Sequence, residues 1–308
     1  MKRFFLLCLR LLKLSALSMG GAVVLIGLLY GGLLLRRPAR TTESRSLFQG
    51  IQYDRYAQDS PRPLLFHIIT IDLTAPGLKF LVTPQAIDPE GKETLANTVP
   101  GFLETQGVQV AINGNFFYPH YVRSPIDYAP HVGEGVNTVG ISMSGGNLYS
   151  PPQQDWAALC ITNVQTISFE EDGFCPEGTQ EAIAGSRLIV KDGQLLPNPE
   201  TDDFDASYDK YFPRTVVALD KSRQTMWWVV VDGRQWKYSE GIALDELSEI
   251  LIEMGAESAL NLDGGGSTTL AVEEDGRARV LNAPFQARVP TNLRPIANHL
   301  GLYAQPID

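Results

Sequence analysis

Between residues 225 and 266 the chain changes hydrophobic period twice. "TMWWVVV" (225–231) is a continuous apolar run of strand length, bulky and β-branched, the pattern of a strand covered on both faces. Leu244, Leu247, Ile250, Leu251 and Met254 then fall at helical spacing, and Gly255 ends the run. "SALNL" (258–262) returns to strand. Strand–helix–strand crossovers join parallel strands. The segment therefore predicts helix and sheet packed together, with 225–231 and 258–262 as parallel neighbours.

The strand ends carry the functional signal. "VQVAI" runs into Asn113-Gly114-Asn115, "WWVVV" into Asp232-Gly233-Arg234, and "ALNL" into Asp263-Gly264-Gly265-Gly266-Ser267. Asx-Gly pairs form good turns, and one instance would say no more than that. Three, one of them extended to a triple glycine, point to a ligand site at the carboxyl ends of strands. Glycines let a ligand approach the main chain and let backbone N–H groups converge on an anion. No Lys-Ser/Thr follows them, which excludes a nucleotide P-loop, and the spacing is not that of a dinucleotide fingerprint. Asp263 would repel a phosphate set directly beside it, so it suits sugar hydroxyls, a metal, or a cationic transition state.

Arginines supply the opposite charge. Arg187 and Arg214 open the strands "RLIV" and "RTVVAL", Arg234 follows an Asp-Gly turn, and Arg294 lies in "TNLRPIANHLGLY"; guanidinium groups bind phosphate bidentately. Glu134 is a further acid in the irregular stretch 113–138, whose aromatic residues are suited to lining a sugar site. His67, His120, His131 and His299 show no metal spacing. The expectation is no cofactor, with a hard divalent cation such as calcium on oxygen ligands as the one metal the residue types allow.

Elsewhere the chain reads as strands: a hairpin of 64–73 and 78–84 around Pro76-Gly77, another with Asp192-Gly193 at its turn, and a third over 215–231, with a short helix in 94–107. At the N-terminus, Leu14 to Leu35 is 22 residues without a charge, long enough to span a bilayer. Both flanks are basic, and no small-residue cleavage site follows. The expectation is an N-terminal transmembrane helix and cytoplasmic tail over 1–40, a stalk over 41–63, and one domain over 64–308. That domain lies on the extracytoplasmic side, periplasmic or extracellular, with secretion after signal cleavage as the alternative. Residues 1–40 hold seven basic side chains and no acid, so a chain at −10 leaves the remainder at −17. A body so acidic excludes nucleic acid as partner. In an exporting compartment Cys160 and Cys175 are disulfide candidates, with two buried thiols as the alternative.

The stretches "VAINGNFF", "FPRTVVALD", "VVVDGRQWKYSEGIALDELSEILIEMGAESALNLDGGGSTTL" and "RPIANHLGLYA" together resemble the phosphodiester glycosidase family, over roughly residues 64–304. One departure is Asn113-Gly114-Asn115, where bacterial members often have Gly-Gly after the first Asn. The resemblance implies a single α+β catalytic domain of mixed β-sheets packed with helices, hydrolysing the bond between an anomeric carbon and a phosphate oxygen. Its partner would be a carbohydrate phosphodiester or a cell-envelope glycan. Such a transition state places positive charge on the sugar ring and leaves a phosphate. Asp263, Asp232 and Glu134 are then the catalytic candidates. Arg187, Arg214, Arg234 and Arg294 would hold phosphate with backbone donors of Gly264, Gly265 and Gly266, and Asn113, Gly114, Asn115 and Ser267 would orient substrate. The alternative is an envelope glycan- or peptidoglycan-binding or processing protein without this turnover.

Overall fold

Val217 and Leu219 of the strand Arg214–Asp220 enter one hydrophobic core, while Val216 and Ala218 enter another. This is the period-2 alternation of a strand with both faces covered. In the computed structural model, which describes residues 21, 24–164, 166–197 and 210–307, that strand lies inside an eight-stranded sheet. The order is Glu43–Phe48, Ile51–Gln58, Leu64–Asp72, Thr225–Val231, Arg214–Asp220, Ala256–Asn261, Arg187–Lys191, Gln194–Leu195. Each neighbouring pair is antiparallel.

The helix Leu244–Glu253 covers one face with Leu244, Leu247 and Leu251, set against Phe66, Val216, Val229 and Ala259. Asp245 and Glu246 occupy its first turn, where the helix dipole favours acids. The opposite face, with Ile69, Val217, Trp228 and Leu260, packs on two five-stranded sheets. One holds Lys79–Val82, Val110–Asn113, Leu270–Glu274, Arg277–Val280 and His299–Tyr303. The helix Val99–Gln106, capped by Thr98 at its start and by Gly107 at φ +70°, packs on the outside of this sheet. The other five-stranded sheet holds Ala157–Asn163, Glu181–Gly185 and three further strands. The architecture is mostly β, with few helices.

Several expectations change. Thr225–Val231 and Ala256–Asn261 run parallel, but they are not neighbours, because Arg214–Asp220 is inserted antiparallel between them. The crossover helix spans two strand positions, and the start of the inserted strand, Arg214, is brought to the edge where Asp232 and Asp263 emerge. Leu64–Asp72 and Lys79–Val82 do not form a hairpin; they belong to different sheets. The predicted stalk instead supplies Glu43–Phe48 and Ile51–Gln58, because Phe48, Ile51 and Tyr53 bury in the main core. The short helix starts at Val99 rather than near Thr94, which pairs with Val136 in a strand.

Residues 24–35 are helical, and among the described residues no helix is long and apolar enough to cross a membrane. The rest of the expected span, 14–20 and 22–23, lies outside the described residues.

Cys160 and Cys175 are bridged, with Cα atoms 5.5 Å apart and a sequence separation of 15. The bond ties the strand Ala157–Asn163 to the irregular 171–180 segment, restricting the unfolded chain more than the folded one. The double substitution Cys160→Ala with Cys175→Ala is expected to lower the free energy of unfolding by about 2–4 kcal/mol, measured by denaturant titration beside the parent chain.

Candidate active site

Asn113 brings the strand ends together. Its Nδ2 donates to the Asp263 carbonyl at 2.6 Å, and its Oδ1 accepts from Thr215 Oγ1 at 2.8 Å and from the Thr269 N–H at 3.1 Å. Gly114 accepts from the Asp263 N–H at 3.2 Å. A Cβ on Gly114 would lie 2.4 Å from Asn298 Oδ1, so the backbone passes this close only as glycine. Asn115 is equally internal: its side chain bonds Val139, Ile141, Ser142, Ala184 and Asn298. Asn113, Gly114 and Asn115 build the wall and do not themselves line the pocket.

The pocket has a volume of about 1070 Å³ and opens at the edge of the main sheet. Asp263, Gly264, Gly265, Gly266, Arg214, Arg234 and Arg294 line it, with Phe116, Phe212 and Phe285 supplying apolar wall. Asp263 is 8% exposed. Burial raises its pKa above the ordinary carboxylate value, against the opposing pull of Arg294, the Ser267 hydroxyl, the Gly264 N–H and Arg234. Ser267 Oγ donates to Asp263 Oδ2 and accepts from Arg294 Nη1 at 3.0 Å, so its hydroxyl is committed within the protein rather than to a ligand. Burial depresses the pKa of Arg294 and of Arg234, and the Asp263 charge opposes this in both. Arg234 stands with its guanidinium 4.5 Å from the Phe212 ring centre, on a backbone at φ +59°. A non-glycine residue held in that left-handed region carries local strain, a feature that clusters at functional sites.

The triple glycine works differently from a phosphate cradle. The Gly265 N–H is donated to the Pro213 carbonyl at 3.0 Å, and that of Gly264 serves the Asp263 carboxylate. What the glycines give is space. A Cβ on Gly264 would meet Pro213 O at 2.7 Å, one on Gly265 would meet Arg234 Nη1 at 3.2 Å, and one on Gly266 would meet Gln286 Oε1 at 2.3 Å and Arg294 Nη2 at 2.5 Å. Their missing side chains admit both arginines to the carboxylate.

Other candidates fall elsewhere. Asp232 is 1% exposed, and its carboxylate takes Asn282 Nδ2 at 3.0 Å, the Ala283 N–H at 2.9 Å and His67 Nε2 at 3.1 Å. His67 continues to the Tyr53 hydroxyl at 2.8 Å. Asp232 thus anchors the 232–234 turn to the 282–283 segment and does not reach the pocket. Glu134 is exposed on a turn, where it accepts from the His131 N–H. Arg187 points away from the pocket because consecutive strand residues face opposite sides; its guanidinium donates to the carbonyls of Leu188, Leu196 and Pro197, and Ser186 lines the pocket in its place. Arg214 lines the pocket while donating to Ile242 O and Lys210 O. His120 sits at the rim, with partial burial and then Arg294 pushing its pKa down to about 4. Among the described residues no group of three or more His, Cys, Asp or Glu is placed to hold a metal.

Ser186, Asn261, Gln286 and Arg288 also line the pocket and were not singled out in the sequence. Asn261 precedes Asp263 by two, the spacing that puts two strand side chains on one face. Gln286 gives no sequence signal.

The fold has solved counterparts. A hypothetical protein from Synechocystis matches with a TM-score of 0.64 at 16% identity, over 87% of this chain and 64% of its own. This chain therefore spans less than two thirds of that protein. The zebrafish N-acetylglucosamine-1-phosphodiester alpha-N-acetylglucosaminidase catalytic domain, auto-inhibited by its pro-peptide, matches with a TM-score of 0.58 at 22% identity, over 88% of this chain and 87% of its own. These identities speak for the fold alone. No curated protein matches the chain in sequence. Residues 106–303 match the phosphodiester glycosidase family, and the chain belongs to it.

Gly266→Ala is expected to leave the fold intact and to push Arg294 off Ser267 and Asp263. Binding of inorganic phosphate as an anionic probe, measured by calorimetry, should weaken by about tenfold or more, the loss of one charge-assisted contact.

Proposed function

We propose that the domain hydrolyses a sugar-1-phosphodiester, cleaving the bond between the anomeric carbon and a phosphate oxygen. The observation that carries this reading is one buried carboxylate, Asp263, sharing a pocket with Arg234 and Arg294. As the bond breaks, its electron pair stays on the phosphate oxygen and positive charge develops on the sugar ring. Asp263 stabilises that charge, and Arg234 and Arg294 hold the departing phosphate. A water oxygen then bonds to the anomeric carbon and its proton passes to the departing phosphate, giving free sugar and a phosphomonoester. A phosphomonoester is a good leaving group and needs no strong general acid. Among the described residues Asp263 is the one carboxylate that lines the pocket; Asp232 and Glu134 lie outside it.

The 22-residue uncharged stretch supports a membrane-anchored placement with the domain on the extracytoplasmic side. The chain just after it is docked on the domain: Arg37 stacks 4.1 Å from the Tyr238 ring centre, and the Tyr238 hydroxyl donates to Pro38 O at 2.9 Å. Tyr30 lines the pocket itself. An anchor over 14–35 would hold the pocket mouth close to the bilayer, within reach of cell-envelope glycans.

N-acetylglucosamine-1-phosphodiesters, the compound class for which the zebrafish enzyme is named, are the first to test, with the full chain in detergent. The expected products are free sugar and a phosphomonoester. Asp263→Asn should reduce kcat/KM by ~10³-fold or more with the thermal transition retained. Tight binding without turnover would replace this reading with that of a glycan-binding module.

The pH profile provides a second check. Burial keeps the proton on Asp263 above the ordinary value of 3.8. The ionised form is the working one, so kcat/KM should rise with pH on an acid limb lying above 3.8. Arg294 is the strongest of the groups opposing that shift. Removing its charge disfavours the carboxylate further, so Arg294→Gln should move the limb to still higher pH. A limb that moves down, or stays in place, contradicts the assignment.

A further inference from the structure

Two buried amides in the pocket each keep one polar atom without a protein partner. Gln286 is 1% exposed; its Oε1 accepts from Arg294 Nε at 2.8 Å, while its Nε2 is unpartnered. A guanidinium only donates, so this contact fixes the amide's orientation and leaves the Nε2 donor for something else. Asn261 is 3% exposed; its Nδ2 donates to Ser186 Oγ at 2.9 Å, and its Oδ1 is unpartnered. Buried polar atoms in folded proteins are nearly always satisfied, and leaving one unmade is expensive. Both residues line the pocket, so a ligand can complete both.

The two atoms come from different parts of the chain, on either side of Asp263 in the run of contacts. Asn261 lies two residues before Asp263. Gln286 packs against the last of the glycines, where a Cβ on Gly266 would meet its Oε1 at 2.3 Å. In chain order the floor of the pocket reads acceptor at Asn261, carboxylate at Asp263, then arginine and amide donors at Gly266. We infer that this pair fixes the direction in which the substrate lies: Gln286 Nε2 donates to a phosphate oxygen beside Arg294, and Asn261 Oδ1 accepts from a hydroxyl or amide N–H of the sugar. The anomeric carbon is thereby brought over Asp263. Asn261 is the specificity-determining residue for the sugar, and Gln286 belongs to the phosphate end. The inference rests on the pocket holding a sugar 1-phosphate, as proposed above, and does not require turnover.

Calorimetry on the full chain in detergent tests it. The probes are N-acetylglucosamine 1-phosphate, glucose 1-phosphate, 2-deoxyglucose 1-phosphate and inorganic phosphate. Gln286→Glu keeps the oxygen that accepts from Arg294 and replaces the donor by a carboxylate oxygen. It should weaken all four probes by about tenfold or more, through a lost donor and added repulsion. Asn261→Ala should weaken a sugar 1-phosphate by about tenfold and leave inorganic phosphate unchanged, a split that general damage to the fold would not produce. Asn261→Asp retains an acceptor and should restore sugar binding. If the sugar's donor is the amide N–H, Asn261→Ala affects N-acetylglucosamine 1-phosphate alone. If it is the C2 hydroxyl, it affects glucose 1-phosphate but not the 2-deoxy compound, and a hydroxyl elsewhere on the ring is shown by equal loss on all three sugars. The inference is overturned if Asn261→Ala weakens inorganic phosphate as much as the sugar phosphates, if it changes none of them, or if Gln286→Glu spares phosphate. Should the parent chain bind these probes without cleaving any diester, the hydrolytic reading fails and the orientation still stands or falls on the variants. Should it bind none of them, both fail together.

Discussion

The Asn113 carboxamide holds two sheets at one point. It ends a strand of the five-stranded sheet, donates to the main chain of Asp263, and accepts from Thr215 in the eight-stranded sheet and from the main chain of Thr269. Buried, with its amide oxygen and nitrogen both bonded, it is the short tie that sets where the Asp263 carboxylate stands. The main-sheet edge is fixed from the other side by Asp232, through His67 and the 282–283 segment. Asp263, held by the first anchor, and Arg234, two residues beyond the second, both line the pocket. A buried network of this kind confers geometry when every member is satisfied and is destabilising when one is removed.

Charge is handled differently within the pocket. Burial makes ionised Asp263 and both of its arginine neighbours unfavourable, and their mutual attraction only partly compensates. Arg234 adds a left-handed backbone, and Asn261 and Gln286 add unpartnered atoms. Each of these features lowers stability, and the ligand proposed above would supply partners to the buried charges and to the two unpartnered amide atoms. The cost is concentrated where a preorganised site requires it, while the cores on either side of the main sheet are continuous and apolar.

The site was legible where a residue's type and its place at a strand end agree. Asp263, the three glycines, Arg214, Arg234 and Arg294 could be picked from the sequence, and the structure gathers them around one pocket. Asp232 carried the same signal and serves a different purpose, because three internal donors reach its carboxylate first. Arg187 misled by one position: a strand alternates faces, so Ser186 faces the pocket while Arg187 faces the 194–197 hairpin. The triple glycine also differs from the anion cradle its sequence suggests. Its N–H groups are largely engaged, and its function is to leave room for Arg234 and Arg294, a close approach visible only once the partners are in place.

By itself the sequence determined the local elements: the apolar strands, the helix after residue 243, the turns that close the strands, the cysteine pair and the acidic balance of the body. Period, bulk and turn chemistry act over a few residues, so they can be read along the chain. Tertiary structure alone decided which strands are neighbours. The antiparallel insertion of Arg214–Asp220 between two parallel strands, and the recruitment of 43–58 into the sheet, follow from which apolar faces bury one another across long separations. It also decided which polar groups are spent internally and which are left for a ligand, because the hydrogen-bond partners that settle this for Asp232, Asn113 and Gln286 lie 8 to 165 residues away.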